Sequence, residues 1–402
     1  MLNIEPGLRP DPNGERIMSN PTRILHVLGT TNLGGAESRV MDLYRQMDKE
    51  EIQFDFLVHS DAIKHAGDDP NARVPQFYDE EIKAMGGNIY VLPRFKLYNY
   101  FAYRKAIHAF FAEHHEFKVV QGHMTSTASI YLPIAKKHGI PITVAHCRSG
   151  GVDKGIKGVL TKLLRKNLYK KTDYCFACSR LAGINAYGEK RLNKGMVKII
   201  YNAVDAGKFA YDPEKRNQMR KQLNIEDKLV LGHVGRFELP KNHPYLIEIF
   251  ASLCSMRSDG VLVLLGDGPD RAKMEEKCEE LGIRDKVLFM GIRTQTENYY
   301  QAFDLFLLPS LYEGMPGVLV EAQAAGLKCL VSDTVTKEAK ATDLVTYMDI
   351  EQPPSVWARE ILAQANYDRR VTYREMVESG FDIKRQADAY RNFYLNGDSS
   401  RL

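Results

Sequence analysis

Residues 307–326 read LLPSLYEGMPGVLVEAQAAG, in which an apolar strand, a short loop and a helix follow one another. The apolar run ends at Pro309, and a helix is predicted from about Gly317 until Gly326 stops it. The same order of apolar run and helical segment recurs along the whole chain. Such alternation predicts parallel sheets that are covered by helices on both faces.

The apolar runs that we predict as strands divide into two groups. They cover residues 23–29, 53–59, 88–93, 118–123, 142–146, 174–179 and 197–204, and then 229–236, 260–266, 286–291, 305–310, 328–333 and 344–348. Between the groups lies a charged segment at 208–228, and 402 residues suit two domains of about 200 residues. We predict an α/β protein with two Rossmann-like, doubly wound domains that face each other across a cleft.

We place the first domain at residues 21–204 and the second at 205–379. Residues 1–20 are polar and lack the apolar core of a signal peptide, so we expect a disordered leader and a cytoplasmic protein. No apolar run approaches the roughly 20 residues of a membrane span. The net charge of +4 gives no indication of nucleic-acid binding.

Cys175 and Cys178 form a CxxC in a predicted buried strand, which favours a structural role over a redox or zinc site.

The loop and helix that follow Pro309 predict an anion site. Pro316 lacks an N–H, and the free amides at the helix start point out of the positive end of the helix dipole, which suits a diphosphate. These amides belong to Gly314, Met315, Gly317 and Val318. Carboxylates beside a phosphate would repel it, so Glu313 and Glu321 are predicted to accept hydrogen bonds from sugar hydroxyls. The alternative is that Glu313 is a partner of the helix dipole and Glu321 an exposed helix residue.

A second candidate is the segment GHVGRFELPKNHPYLIEIF at 232–250, where a strand ends and a helix follows. Arg236 and Lys241 lie between them and could neutralise a pyrophosphate leaving group. They could equally be a solvated surface pair. The turn from Gly266 to Gly268 lacks the third glycine of a dinucleotide fingerprint, which leaves a second glycine turn near the cleft.

In the first half, Gly34-Gly35 precedes a helix and would let backbone amides approach a ligand, although simple helix entry explains the pair as well. His123 and His146 end strands, which places them at the edge where ligands bind in such sheets. A structural role for each histidine is equally open. We name His146 and Arg148 as candidates for binding the molecule that accepts the transferred group.

No metal is expected, because the chain has no Asp-x-Asp and no HExxH. The segment 153–173 predicts an amphipathic basic helix, which suits an anionic membrane surface, while a solvated helix face is the alternative. Its candidate membrane-facing cations are Lys154, Lys157, Lys162, Arg165 and Lys166.

Together these residues resemble the retaining glycosyltransferases of family 4, which have the two-domain GT-B fold, and among them the bacterial exopolysaccharide and capsular polysaccharide transferases. Glu313 and Glu321 match the family's E-x7-E motif. The resemblance implies that Glu313 binds the donor sugar, that Glu321 binds the ribose, and that His123 touches the sugar near the reacting carbon. It also implies that Arg236 and Lys241 bind the donor phosphates, and that Gly34 and Gly35 form the N-terminal glycine loop.

Two departures from the family pattern concern Ala203, where the family has glycine in Asn-Gly-Val-Asp, and Gly317, where it has a bulkier residue. The resemblance implies that the last helix, at about 380–402, crosses back to the first domain.

The activity that the resemblance implies is transfer of a hexose or N-acetylhexosamine from a nucleotide diphosphate sugar of the UDP class. The acceptor implied is a lipid-linked sugar or polysaccharide at the inner membrane face, and the mechanism is a metal-independent front-face displacement. A nucleotide-sugar epimerase and a non-catalytic nucleotide-sugar-binding partner are the alternatives.

Overall fold

The computed structural model describes residues 8–10, 16–18, 20–60, 73–148 and 155–402. Within them the chain divides into two compact units, with one boundary between Tyr201 and Asn202 and a return to the first unit at Lys384. Where we expected a disordered leader, two short antiparallel strands pair, β1 (Leu8–Pro10) and β2 (Arg16–Met18). The other leader residues, apart from residue 20, lie outside the described residues.

The first unit is built on a parallel sheet of seven strands in the order β5-β4-β3-β6-β7-β8-β9. The strands are β3 (Thr22–Val27), β4 (Ile52–Ser60), β5 (Ile89–Pro93), β6 (Phe117–Gly122), β7 (Ile142–Cys147), β8 (Tyr174–Ala177) and β9 (Lys198–Ile199). Eight of the nine residues of β4 are buried, as expected for a strand with both faces covered.

The helices of the first unit connect these strands, and one further helix comes from the end of the chain. They are α1 (Gly35–Gln46), α2 (Asp79–Ala84), α3 (Tyr100–Glu113), α4 (Thr125–Lys137), α5 (Gly155–Arg165), α6 (Arg180–Tyr187), α7 (Glu189–Asn193) and α16 (Ile383–Asn396). Phe393 and Tyr394 of α16 are fully buried against aromatic residues of the sheet, including Phe54 and Phe176. This packing explains why the end of the chain belongs to the first unit.

The second unit has a parallel sheet of six strands in the order β12-β11-β10-β13-β14-β15. The strands are β10 (Leu229–Val234), β11 (Gly260–Leu265), β12 (Val287–Gly291), β13 (Leu305–Leu308), β14 (Lys328–Ser332) and β15 (Val345–Met348). Its helices are α8 (Ala206–Phe209), α9 (Pro213–Leu223), α10 (His243–Met256), α11 (Arg271–Glu280), α12 (Thr296–Ala302), α13 (Gly317–Ala324), α14 (Pro354–Gln364) and α15 (Tyr373–Glu378).

The predicted class of two Rossmann-like α/β units is therefore confirmed, and each predicted strand run overlaps an observed strand. The largest difference concerns residues 197–204, where only Lys198 and Ile199 form a strand. Val204, at the end of that run, instead bridges to Asp382 in the second unit. The charged segment at 208–228 is also more ordered than a linker, since α9 fills much of it and Arg220 donates to Asp304 and to Ala302 O.

Cys175 and Cys178 are buried without a disulfide, and burial raises the pKa of each thiol to about 12, which agrees with the structural role predicted for this CxxC. Among the helices that the structure describes, none has the length and apolar character needed to cross a bilayer.

Candidate active site

The loop after β10 carries the two predicted phosphate-binding cations of the second unit. A β-carbon on Gly266, which has a φ of +134°, would lie 2.0 Å from Gly235 O, so glycine is required where the next loop packs against this one. This close approach explains the glycine turn that follows β11. Arg236 extends outward, with 70% of its side chain exposed and its Nε 3.0 Å from Glu238 Oε1. Because its observed partner, Glu238, is also a surface residue, Arg236 can release that carboxylate and bind a ligand.

Lys241 has a different environment, because it is turned towards the loop before α13. Its Nζ lies 2.7 Å from Glu313 Oε1, and both side chains are only 17% exposed. The backbone joins the same two loops, since Leu311 N donates to Pro240 O at 2.9 Å. Ser310 Oγ donates to Glu313 Oε1 at 3.4 Å. The structure therefore brings together two of the predicted site residues that lie 72 positions apart in the sequence (313 − 241).

The start of α13 agrees with the predicted helix entry. Pro316 is the N-cap residue, and Leu319 N donates back to Pro316 O at 3.1 Å. Gly317 and Val318 precede Leu319, so their amides lie in the first turn. The N–H groups of a first turn have no hydrogen-bond acceptor within the helix. Gly314 and Met315 are partly exposed in the loop that leads into this turn. These positions can present N–H groups to an anion at the positive end of the helix.

Glu321 lies on the inner side of α13 and is only 8% exposed. Tyr300 OH donates to Glu321 Oε2 at 3.0 Å and also reaches Val318 O at 3.1 Å. The exposed-helix alternative for Glu321 is therefore wrong. Tyr300 was missed by the sequence reasoning, because nothing in the pattern of α12 distinguishes it from an ordinary core tyrosine.

In the first unit, α1 begins at the predicted glycine pair, with Gly34 as the N-cap residue. The carboxylate of Glu37 covers this turn, since a β-carbon on Gly34 would lie 2.5 Å from Glu37 Oε2. Burial raises the pKa of Glu37, while a hydrogen bond from Thr30 Oγ1 at 3.4 Å opposes that shift. An anion that approached the amide of Gly35 would have to displace or protonate this carboxylate.

His123 follows β6 and is 8% exposed. Its ring Nε2 lies 3.0 Å from Nδ1 of His26 on β3, and Arg148 Nε donates to its Nδ1 at 3.3 Å. Burial, together with the positive charge of Arg148, lowers the pKa of His123 well below its ordinary value, so the ring is neutral. Two predicted candidates, His123 and Arg148, are thus in direct contact.

His146 was predicted at this edge of the sheet together with His123 and Arg148. It is fully buried at the end of β7. Its Nδ1 accepts from Gln121 Nε2 at 3.1 Å, and Gln121 Oε1 accepts from Tyr394 OH at 2.8 Å. His146 therefore lies behind His123 rather than at the surface, which favours a supporting role over direct contact with an acceptor. His26, Gln121 and Tyr394 were missed by the sequence reasoning because only the fold brings them together.

Helix α5 and Lys166, which directly follows it, carry the predicted membrane-facing cations that the structure describes. Lys162 and Lys166 are exposed, and so are Val159 and Leu163, at 69% and 64%. Arg165 differs from the prediction, because its Nε and Nη1 are buried with no hydrogen-bond partner among the described residues. Lys154 and the side chain of Lys157 lie outside the described part of the chain.

Comparison with known proteins identifies the class to which this arrangement belongs. The model described as Glycosyltransferase Family 4 matches residues 33–208, and that described as Glycosyl transferases group 1 matches residues 214–342. EpsF of Bacillus subtilis (strain 168), provisionally named a glycosyltransferase, is 34% identical over 385 residues, which cover 94% of this chain and 97% of EpsF. The chain therefore belongs to glycosyltransferase family 4, and it is a glycosyltransferase.

Two further relatives extend the comparison. The UDP-Gal:alpha-D-GlcNAc-diphosphoundecaprenol alpha-1,3-galactosyltransferase of Escherichia coli is 26% identical over 296 residues, or 70% of this chain and 76% of that enzyme. Among solved structures, Anabaena HepE in complex with UDP-glucose matches with a TM-score of 0.68 at 17% identity, covering 92% of this chain and 98% of HepE. The likeness to HepE shows a shared fold, and the GT-B expectation is confirmed.

Proposed function

We propose that the chain is a retaining transferase that moves a hexose or N-acetylhexosamine from a UDP-sugar to a lipid-linked or polysaccharide acceptor in exopolysaccharide or capsule synthesis. The observation that carries the proposal is the 2.7 Å pair between Lys241 and Glu313 beside the first turn of α13. A cation and backbone amides for phosphate therefore stand next to a carboxylate that can accept hydrogen bonds from sugar hydroxyls.

Lys241 can serve the phosphate without leaving Glu313. An ammonium has three donors, so one N–H can stay on the carboxylate while another binds a phosphate oxygen. Glu313 in turn keeps further lone pairs for hydroxyl groups. Arg236 is exposed and can add a second positive charge, and the amides of Gly317 and Val318 add the helix dipole. The leaving diphosphate is then stabilised by protein groups alone, which is why we propose that no metal is required.

The identity of the donor is supported by the relatives. HepE is described in complex with UDP-glucose, and the name of the Escherichia coli enzyme specifies UDP-Gal and a diphosphoundecaprenol-linked acceptor. We extend both the UDP donor and the lipid-linked acceptor to this chain. Glu321, held by Tyr300 OH at 3.0 Å, is the carboxylate that we assign to the ribose.

In the proposed reaction the acceptor oxygen forms a bond with the anomeric carbon on the face from which the diphosphate departs. The bond between that carbon and the phosphate oxygen breaks, and the departing phosphate oxygen takes the acceptor's proton. The protein therefore acts electrostatically, because Lys241 and the amides of α13 stabilise the negative charge that develops on the leaving group. No covalent intermediate with a side chain is needed.

We further propose that the protein is cytoplasmic and binds the inner face of the membrane. Val159, Lys162 and Leu163 are exposed on α5, and Lys166 is exposed directly after it, a combination suited to anionic lipid. A second set of exposed apolar side chains lies just before and at the start of α3, where Leu97, Tyr98 and Phe101 are 60%, 83% and 84% exposed. The segment from Ile82 to Ala112 contains five Lys and Arg residues and no Asp or Glu, so its charge also complements an anionic surface.

A thermal-shift screen tests the donor site. UDP, UDP-glucose, UDP-galactose and UDP-N-acetylglucosamine are each added with and without EDTA, because a ligand that binds the native state raises the melting temperature. We expect a rise with at least one UDP-sugar that EDTA does not remove. No stabilisation by any UDP compound would reject the donor proposal, and stabilisation that requires a divalent ion would reject the metal-independent mechanism. Product analysis without acceptor separates an epimerase, which would interconvert the sugars.

A further inference from the structure

His233 connects the carboxyl ends of β10 and β13, the two strands that lead into the loops of the predicted donor site. The paired residues of these strands run as far as Gly232 and Phe306. His233 is the next residue of β10 and is fully buried, and its ring Nδ1 lies 2.8 Å from Leu307 O on β13. A side-chain hydrogen bond therefore continues the connection of the two strands beyond their last paired residues.

The hydrogen bond to Leu307 determines which nitrogen of His233 carries the proton. A carbonyl oxygen can only accept, so Nδ1 donates to Leu307 O. Burial, together with the nearby His243 and Lys241, lowers the pKa of His233 well below its ordinary value, so the ring is neutral and has a single N–H. Nε2 is therefore unprotonated, and it has no hydrogen-bond partner in the part of the chain that the structure describes.

This uncharged edge of the ring lies beside the stem of Lys241. A β-carbon on Gly235 would lie 2.9 Å from His233 Nε2 and 3.0 Å from Lys241 Cδ and Cε. The ring edge and the lysine stem thus occupy the same side of Gly235 and fill the space that a larger residue would need. Nζ of the same lysine lies 2.7 Å from Glu313 Oε1. A histidine that is anchored to β13 therefore supports the lysine that contacts the loop after β13.

The loop between β10 and α10 is also held by stacked rings. His243, the first residue of α10, is 2% exposed, and its ring packs 4.1 Å from that of Phe237 with an interplanar angle of 17°. The same ring meets that of His233 at 4.9 Å, nearly at a right angle. Phe237 N in turn donates to Asp267 O at 3.1 Å. Lys241 lies between Phe237 and His243 in the sequence, so both ends of its loop are fixed to the core.

From these contacts we propose that His233 is a positioning residue that holds Lys241 against Glu313, because it ties β10 to β13 and supports the lysine stem. The inference rests on the proposed function for the diphosphate that Lys241 binds. Because His233 acts through Lys241, its replacement should affect every ligand that carries the diphosphate. The same replacement should have little effect on binding once Lys241 is removed. A residue that only supported the fold would show no such dependence.

Calorimetric binding of UDP and of UDP-glucose tests the proposal with two variants of His233. His233→Leu fills the space of the ring without a donor for Leu307 O, whereas His233→Asn keeps an N–H near the position of Nδ1–H. We expect His233→Leu to weaken binding of both ligands about tenfold, the scale of one lost hydrogen bond, and His233→Asn to restore most of the loss. Introduced into Lys241→Ala, His233→Leu should change either affinity by less than about twofold.

Two further variants separate the contact with Lys241 from the bond to β13. Gly235→Ala places a methyl group between the ring edge and the lysine stem and leaves the bond to Leu307 O intact, so it should weaken UDP binding only when Lys241 is present. Tyr367→Phe is the matched control, because Tyr367 OH donates to Asp304 O at 3.0 Å, just before the opposite end of β13. We expect Tyr367→Phe to lower the melting temperature and to leave UDP affinity unchanged.

Melting temperatures of the same variants give a measurement that needs no ligand. The double variant of His233→Leu and Lys241→Ala should lose less than the sum of the two single losses, because the side chains support each other. Additive losses would overturn the proposal, as would wild-type UDP affinity in a folded His233→Leu or a failure of His233→Asn to restore binding. If the wild-type protein binds no UDP compound, the donor proposal fails, and the melting temperatures still decide whether His233 positions Lys241.

Discussion

Lys241 Nζ and Glu313 Oε1 lie 2.7 Å apart and tie the loop after β10 to the loop before α13. Each side chain is only 17% exposed, so the pair is shielded from much of the solvent that weakens ion pairs at a protein surface. A donor that binds here would meet a lysine and a carboxylate already in place. Under the proposed function, the contact would couple recognition of the phosphate to recognition of the sugar.

The first prediction concerns this pair. Lys241→Ala and Glu313→Ala should each lower the rate of sugar transfer about 100-fold or more, because each removes a contact to the charge or the sugar in the transition state. The double variant should lose less than the product of the two single losses, since the side chains contact each other. Initial rates of UDP release with a lipid-linked acceptor measure both effects.

The matched control for the first prediction is Lys277→Ala. Lys277 also forms an ion pair within the second unit, with its Nζ 2.5 Å from Glu248 Oε1. It lies on α11, and we assign it no part in donor binding. Turnover of Lys277→Ala should match that of the wild-type protein. Near-normal turnover in both Lys241→Ala and Glu313→Ala would contradict the assignment.

The second prediction concerns Tyr300, which the sequence does not distinguish from a core residue. Tyr300→Phe removes the hydroxyl that donates to Glu321 Oε2 at 3.0 Å and leaves the ring in place. If Glu321 binds the ribose, the loss of this hydrogen bond should raise the KM for the donor about fivefold and change kcat little. An unchanged KM in steady-state kinetics would show that Tyr300 only supports the core.

These residues show what the sequence can and cannot predict. The strands and the start of α13 follow from local patterns, since apolar runs, Pro316 and the flanking glycines act within a few residues. The pairs Lys241 with Glu313 and His26 with His123 depend on which strands become neighbours. Strand order is set by packing of the whole sheet, so a single sequence places these side chains at the same edge without giving their contacts.

Arg165, at the end of α5, is a second example of a side-chain environment that the sequence alone does not predict. The spacing of apolar and basic residues predicts an amphipathic α5, but it does not state which residues the helix turns towards the core. The structure buries two guanidinium nitrogens of Arg165 and exposes Val159 and Leu163. The outward side of α5 is thus partly apolar, although sequence periodicity alone would place these apolar residues in the interior.

The third prediction follows for membrane binding. Lys162→Gln with Lys166→Gln should weaken sedimentation with vesicles of anionic phosphatidylglycerol, by about 30-fold at low salt for roughly 1 kcal/mol per cation. Added salt should reduce the difference. Lys273→Gln is the control, because Lys273 is 73% exposed on α11 of the second unit. If the double variant sediments like the wild-type protein, α5 is only a solvated face.

The fourth prediction separates the apolar contribution of the α3 start. Phe101→Ser, which replaces a side chain that is 84% exposed, should weaken vesicle binding in a way that added salt does not remove. Phe101→Trp provides a reporter, because the chain's single tryptophan, Trp357, is fully buried in the second unit. We expect its fluorescence to shift to the blue on anionic vesicles. An unshifted spectrum under conditions where the protein sediments would place the contact elsewhere.

The fifth prediction concerns acid sensitivity, which follows from the buried histidines. Burial lowers the pKa of His26 to about 3 and that of His59 to about 4, and it lowers those of His123 and His146 well below 6.5. The unfolded chain takes up these protons near pH 6.5, while the folded chain does not. Stability should therefore be fully present above pH 6.5 and fall as the pH drops below it, by up to about 1.4 kcal/mol per pH unit for each histidine.

Calorimetric melting of the ligand-free protein between pH 7.5 and about 5 tests this sign, because ordinary carboxylates titrate near pH 4 and contribute little in that range. His146→Gln should have a shallower dependence of the melting temperature on pH than the wild-type protein, since one of the unfavourable protonations is removed. His115→Gln is the control, because His115 is exposed. A melting temperature that stays constant down to pH 5 would mean that these histidines accept protons in the folded state, and a neutral His123 would then be excluded too.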